Sequence, residues 1–195
     1  MDLRKRKSQQ KLQDALAEHL KVKALEEITI GELTESAGVS RQTFYSNFDS
    51  KQAVLVGRIE RILISVSEYF GPISSRQDLS RHEIIELGVK HLLETCEQHR
   101  TLTTAAFTGQ AGNMCISLIK QHLGEFIQHR VLLEFKHSFQ PTELDIMADF
   151  YAGAFMGMIQ GYLSSPPGSK SIDAIAKEVS ILMPLGIDGI LAKEV

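Results

Sequence analysis

Apolar residues recur along most of this chain at intervals of three and four, and they do not alternate with polar ones over strand lengths. That period predicts helices almost throughout. A first helix is expected from about Ser8 to Leu25, with Leu12, Ala15, Leu16 and Leu20 on one face. Thr29 followed by Glu32 has the spacing of a capping box and opens a second helix, Ile30 to Ala37. Gly38 suits the left-handed residue that stops it. Ser40 caps a third helix over Arg41–Phe48. Asp49 or Ser50 caps the fourth, with Gln52 placed to close a box on Asp49. This long helix runs to Phe70, where Gly71-Pro72 is expected to end it.

Ser80 and Glu83 form another capping box and open a fifth helix to about His99. A short segment around Thr101–Thr108 follows, then a break at Gly109–Asn113. Further helices are expected over Met114–His137, from Pro141 to the Ser164-Ser165-Pro166-Pro167-Gly168 stretch, and from Ser171 to Leu191, the last one bent or interrupted by Pro184. The fold class is therefore all-α, with about nine helices. A helix-turn-helix DNA-binding domain over 1–51 leads directly into a larger helical domain, 52–195, for effector binding and dimerisation.

The segment ITIGELTESAGVSRQTFYSNFDSK, Ile28 to Lys51, holds the most specific pattern. Two short helices joined by a tight turn at Gly38 make a helix-turn-helix, whose second helix can enter the major groove of DNA. Val39, Phe44 and Phe48 share one side of that helix and can pack on Leu33, Ala37 and Leu16. Arg41, Gln42, Thr43, Ser46 and Asn47 remain for another surface. These types read base edges or hold phosphates: arginine forks onto guanine, glutamine or asparagine onto adenine, and the threonine methyl meets that of thymine. Tyr45 offers a hydroxyl to phosphate, and Lys51 adds charge beside the free N–H groups of the fourth helix. Spacing alone leaves open a second reading, a short amphipathic helix with a merely wet outer face.

The same run resembles the DNA-binding domain of the TetR family of bacterial transcriptional regulators. Thr29, Ile30, Leu33, Ala37, Gly38, Val39, Ser40, Thr43, Phe44, Tyr45, Phe48, Lys51 and Leu55 carry the likeness, with Leu12, Ala15 and Leu20 upstream. It covers about residues 8–56 closely; beyond 56 it is one of size and helical layout. Lys23-Ala24 and Ser46-Asn47 depart from the commoner family residues, which bears on base preference. The resemblance implies phosphate contacts from Thr29, Tyr45 and Lys51, and a groove-facing set of Arg41, Gln42, Thr43 and Asn47. Ser40 and Ser46 complete the expected double-stranded DNA surface.

Charge modifies this picture. The net charge is −3, which by itself argues mildly against nucleic acid. Its distribution is uneven: residues 1–51 carry nine Lys/Arg against eight Asp/Glu, and 52–195 twelve against sixteen. Arg4, Lys5, Arg6, Lys7 and Lys11 form a basic arm that either meets phosphates or is a solvated tail. The 43% hydrophobic and 23% charged composition is that of a globular protein. No apolar run approaches the roughly 20 residues that span a bilayer, and no signal peptide follows the basic start. Two cysteines make no disulfide framework, so a cytoplasmic location is expected.

A reader of near-palindromic DNA needs a twofold partner. Gly153, Gly157 and Gly161 recur every four residues within DFYAGAFMGMIQGYL. Each costs roughly 1 kcal/mol in a helix relative to alanine, so a close helix neighbour should offset them. That neighbour is either a second copy or another helix of the same chain. Ile172, Ile175, Ala176, Val179, Leu182 and Met183 make the last helix the natural companion, and the resemblance implies that the pair forms a homodimer interface. It also implies an effector pocket among helices five to seven. Val89, Leu92, Leu93, Phe107, Ile116, Ile119, Leu123 and Phe126 would line it, with Cys96, His99, Thr103, Cys115, His122 and Tyr151 as polar groups. Such walls suit a small, mostly apolar effector; a filled core is the alternative.

Other chemistries are set aside. Cys96 and His99 lie one helical turn apart, but Cys115, His122 and His129 recur every seven residues, about 10.5 Å apart along an axis. Adjacent members cannot share a zinc at about 2.0–2.3 Å without ligands from elsewhere. A thiol switch through Cys96 and Cys115 lacks an obvious basic neighbour. An enzyme would need a nucleophile elbow, a phosphate-cradling glycine loop or an HExxH run, and none is present. No cofactor and no metal are expected. The functional expectation is a ligand-released repressor. A ligand-independent architectural protein or a partner-recruited activator on the same scaffold is the alternative.

Overall fold

A computed structural model describes residues 3–107, 111–135 and 140–191, with backbone alone for 127, 129–135 and 184–191. Its elements are α1 (Leu3–Leu20), a 3₁₀ turn (Leu25–Glu27), α2 (Ile30–Ala37), α3 (Arg41–Tyr45) and α4 (Lys51–Ser74). Then come α5 (Arg81–Gln98), α6 (Arg100–Ala105), α7 (Gly112–Phe135), α8 (Pro141–Leu163) and α9 (Ile172–Leu191). Among the described residues there is no strand. The protein is all-α, and 52 falls one residue inside α4.

Local chemistry sets most boundaries. Thr29 and Glu32 exchange bonds at the start of α2, and Ser80 and Glu83 do the same for α5. Gly38 takes φ 61° and ψ 41° and closes α2. Ser50, not Asp49, caps α4 by accepting from the Ala53 N–H.

Four helices depart from expectation. The basic stretch Leu3–Lys7 extends α1 toward the N-terminus, since Leu, Arg and Lys are good helix formers without any cap signal. At the other end α1 stops at Leu20, and the chain turns through Lys21–Lys23 into the 3₁₀ turn. Pro72 lies inside α4 rather than ending it; only one more turn follows, so few bonds are at stake. The third departure is α3, which ends at Tyr45 for a reason given below. The fourth is α9, which Pro184 does not interrupt. The break expected at Gly109 and the end expected at His137 lie outside the described residues.

One apolar cluster joins the reading head to the body. It runs from Leu12, Leu16, Leu33 and Phe44 through Val54, Leu55 and Ile59 to Leu102, Ala106, Cys115 and Ile119. A second holds α5, α8 and α9 together through Val89, Leu93, Cys96, Ile159, Tyr162 and Ala176. Where α4 passes the head, Gly57 leaves room for it: a Cβ there would stand 3.0 Å from Gln13 Nε2 and 3.4 Å from Phe48. Beside it Arg61 donates to Gln13 Oε1 at 2.9 Å, and Arg58 stands 3.7 Å from Asp14. α4 is thus gripped by α1 at one end and packed against α5 and α7 at the other.

Candidate functional site

The reading head is built on Phe44, fully buried beneath α3 with Phe48 beside it. Gly38 and the Val39 N–H, which donates to Thr34 O at 3.0 Å, turn the chain from α2 into α3. Ser40 caps α3 by accepting from the Thr43 N–H at 3.0 Å, and the Ser40 and Thr43 hydroxyls are themselves 2.9 Å apart. The short length of α3 follows from Ser46 and Asn47. Both side chains donate to Thr43 O, at 2.9 and 2.7 Å. The Asn47 N–H turns to Phe44 O instead of continuing the α-helical ladder.

This divides the expected DNA-facing residues into two kinds. Arg41, Gln42 and Tyr45 are exposed, Tyr45 by 58%, and among the described residues their side chains make no intramolecular hydrogen bond. Ser40, Thr43, Ser46 and Asn47 have their polar groups engaged within the helix. Asn47 Oδ1 is buried without a partner.

Arg41 extends back over the start of α2, where a Cβ on Gly31 would lie 3.3 Å from its Nη2 and 3.7 Å from Thr29 Oγ1. Thr29 and Arg41 therefore converge. The Thr29 hydroxyl donates to Glu32 Oε2 at 2.8 Å. A side-chain bond from Lys23, then those from Thr29, hold the Glu32 carboxyl down to about 2. Lys51 is tied across the head: its Nζ donates to Glu26 O and Ile28 O, both at 2.7 Å. Two of its three protons point into the loop before α2, leaving one for an outside group.

A family profile described as "Bacterial regulatory proteins, tetR family" matches residues 13–56, the segment containing all of these contacts except the first turns of α1. Over this segment the chain is similar to the DNA-binding part of that family. It is 30% identical over 99 residues to the HTH-type transcriptional regulator EthR of Mycobacterium tuberculosis. That match takes in 50% of this chain and 46% of EthR, so the chain spans about half the length of the curated relatives it matches.

Over the whole chain the likeness is one of fold. The TetR family repressor AlkX of Dietzia sp. strain DQ12-45-1b superposes with a TM-score of 0.64 at 17% identity, covering 92% of this chain and 97% of that one. RolR in complex with resorcinol does so with 0.65 at 17%, covering 92% and 88%.

Behind the reading head, the body holds a cavity of about 130 Å³. Val89, Leu92, His122, Phe126 and Tyr151 line it, and so do Phe70, Arg81 and Phe155, which sequence patterns did not single out. A signal for this wall was present in Gly88, a glycine inside α5. The Phe70 ring lies against it and meets Phe126 edge-on at 4.9 Å. Cys96, Thr103, Phe107 and Ile119 line a smaller space nearer the head. His99 and Cys115 line neither: Cys115 is fully buried in the cluster that reaches the head, and His99 sits at the α5–α6 junction. Burial pushes the Cys96 thiol up to about 12 and the Cys115 thiol up to about 11, so both stay protonated and unreactive at neutral pH.

The glycine face of α8 is open. A Cβ on Gly153, Gly157 or Gly161 would meet nothing within 4 Å. Phe150 and Ile146 on the same stripe are 67% and 69% exposed, and Leu182 of α9 is 64% exposed. Within the chain, Ile172, Ile175 and Val179 instead pack inward against the cluster of α5 and α8. Among the described residues no helix is long and apolar enough to cross a membrane, and no group of three or more His, Cys, Asp or Glu is placed to hold a metal.

Proposed function

We propose that this protein is a homodimeric DNA-binding transcriptional regulator, a repressor released from a near-palindromic operator by a small, mostly apolar effector. The observation that carries the reading is the outward face of α3. Arg41, Gln42 and Tyr45 project from a helix seated by buried Phe44, while Thr29 and Lys51 flank it. A helix presenting such donors suits a major groove about 12 Å wide. Its placement in a TetR-family segment supports the same role.

The open stripe of Gly153, Gly157 and Gly161 with Phe150 and Leu182 supports the twofold partner. Glycines that meet nothing in their own chain allow the close approach of a second α8, and the exposed apolar groups would be buried by it. The cavity beside α4 supports the effector. RolR, of the same fold, is known in complex with resorcinol.

Release follows from α4, which touches the cavity through Leu63, Val66 and Phe70 and holds the head at Gly57. An effector that favours a different position of α4 changes the separation of the two α3 helices, so that they no longer match successive grooves. It must bind that state more tightly than the DNA-bound one. The reading is of a cytoplasmic protein without catalytic activity, cofactor or metal. Selection from a random DNA pool tests it: a near-palindromic winner supports the reading, and a pool without enrichment sinks it.

A further inference from the structure

The cavity of about 130 Å³ lies among α4, α5, α7, α8 and α9, and most of its lining is apolar. Its volume suits a single ring: an apolar cavity of about 150 Å³ engineered into another protein holds benzene. Aromatic side chains make up much of the wall. Phe70 and Phe126 meet edge-on at 4.9 Å, and Phe155 and Tyr151 add further rings. The polar groups on the wall are few, and most are taken. Arg81 is already engaged within the chain. Tyr151 donates its hydroxyl to Met183 O at 2.9 Å. Ser67 is exposed and can turn to water. His122 of α7 differs. It is half-buried on the cavity wall, and among the described residues it makes no hydrogen bond or ion pair. Such an imidazole has a ring nitrogen to offer an occupant.

We propose that this cavity binds a monohydric phenol, its ring against Phe70, Phe126 and Phe155 and its hydroxyl on a ring nitrogen of His122. This rests on, and sharpens, the effector reading above. Rings set edge to face add to what burial alone supplies, roughly a two- to tenfold gain in affinity. The hydroxyl gives the free imidazole a partner, a net gain of about fivefold. A second hydroxyl has no second buried partner to meet and gives up its water without return. A second fused ring exceeds the space. The occupant touches α4 at Val66 and Phe70, and α4 seats the head at Gly57.

Calorimetric titration of the full chain with phenol, benzene, resorcinol, cyclohexanol and 1-naphthol tests this directly. Phenol is expected to bind about fivefold tighter than benzene and severalfold tighter than cyclohexanol. Resorcinol should bind more weakly than phenol, and 1-naphthol more weakly still. His122→Leu should bring phenol down to the affinity of benzene; the phenol–benzene comparison on the parent protein tests the same bond without a substitution. Equal affinity for phenol and benzene, or for phenol and cyclohexanol, would overturn the proposal. So would 1-naphthol or resorcinol binding as tightly as phenol, or an unchanged phenol preference in His122→Leu. Failure of all five to bind, in a protein that still holds a selected operator, would overturn it too and leave the regulator reading standing. Phenol binding without any operator would support the site and remove the regulator.

Discussion

The ring of Phe70 occupies the space where a side chain at residue 88 would begin: a Cβ on Gly88 would stand 1.5 Å from Phe70 Cε2. The glycine in α5 thus sets how closely α4 approaches, and it sets the edge-on contact of Phe70 with Phe126 of α7. Gly88→Ala must push the ring out. Overpacking costs about 1–3 kcal/mol, against a gain of up to about 1 kcal/mol in helix propensity, so a net loss is expected in urea denaturation. With Phe70→Ala already in place the same substitution should become neutral or stabilising. Equal losses in both backgrounds would place the strain elsewhere.

Arg41 and Lys51 should fail differently. Arg41→Ala removes an exposed fork on α3 and is expected to cost about 1–3 kcal/mol of discrimination at one base position. Lys51→Ala removes a cation and the two bonds to Glu26 O and Ile28 O. It should weaken binding to all sequences, reduce the salt slope by about one, and lower stability by about 1–3 kcal/mol. Titrations of operator and random DNA at two salt concentrations distinguish the two patterns. Identical profiles would contradict the docking.

The open glycine face predicts a clean separation of folding from assembly. At Gly157 a Cβ meets nothing in its own chain, and a helix gains from losing a glycine. Gly157→Arg should therefore fold at least as well as the parent yet sediment as a monomer, with operator affinity reduced a hundredfold or more. A Gly157→Arg dimer would move the interface off α8.

Acid stability should carry the mark of Glu32. Its carboxyl is held at about 2 in the folded chain, below its ordinary 4.5, by the bonds from Lys23 and Thr29. A depressed carboxylate stabilises the fold above the ordinary value and loses that contribution as pH falls toward the folded one. Unfolding midpoints measured between about pH 5 and pH 2 should fall, and Glu32→Gln should flatten the fall. An unchanged slope in Glu32→Gln would assign the acid sensitivity to other carboxyls.

The capping boxes at Thr29 and Ser80 and the stop at Gly38 were legible in the sequence because each is settled within four residues of chain. The end of α3 was not, since it depends on whether Ser46 and Asn47 turn their side chains back to Thr43 O. Nor did periodicity separate the faces of α9: Ile172, Ile175 and Val179 pack against the cluster of α5 and α8, whereas Leu182 is exposed. The cavity was legible as apolar spacing on α5 and α7. Its polar rim at Arg81, and the withdrawal of Cys115 into the other cluster, depend on how helices distant in sequence are packed.

Sedimentation of the full chain with its selected DNA site, followed by titration at two salt concentrations, tests the central claim most directly. The prediction is one dimer per near-palindromic site, bound on the order of a thousandfold or more tighter than random DNA, with Tyr45→Phe and Lys51→Ala weakening both. Weak binding that falls steeply with salt and shows no preference between the site and random DNA would contradict it.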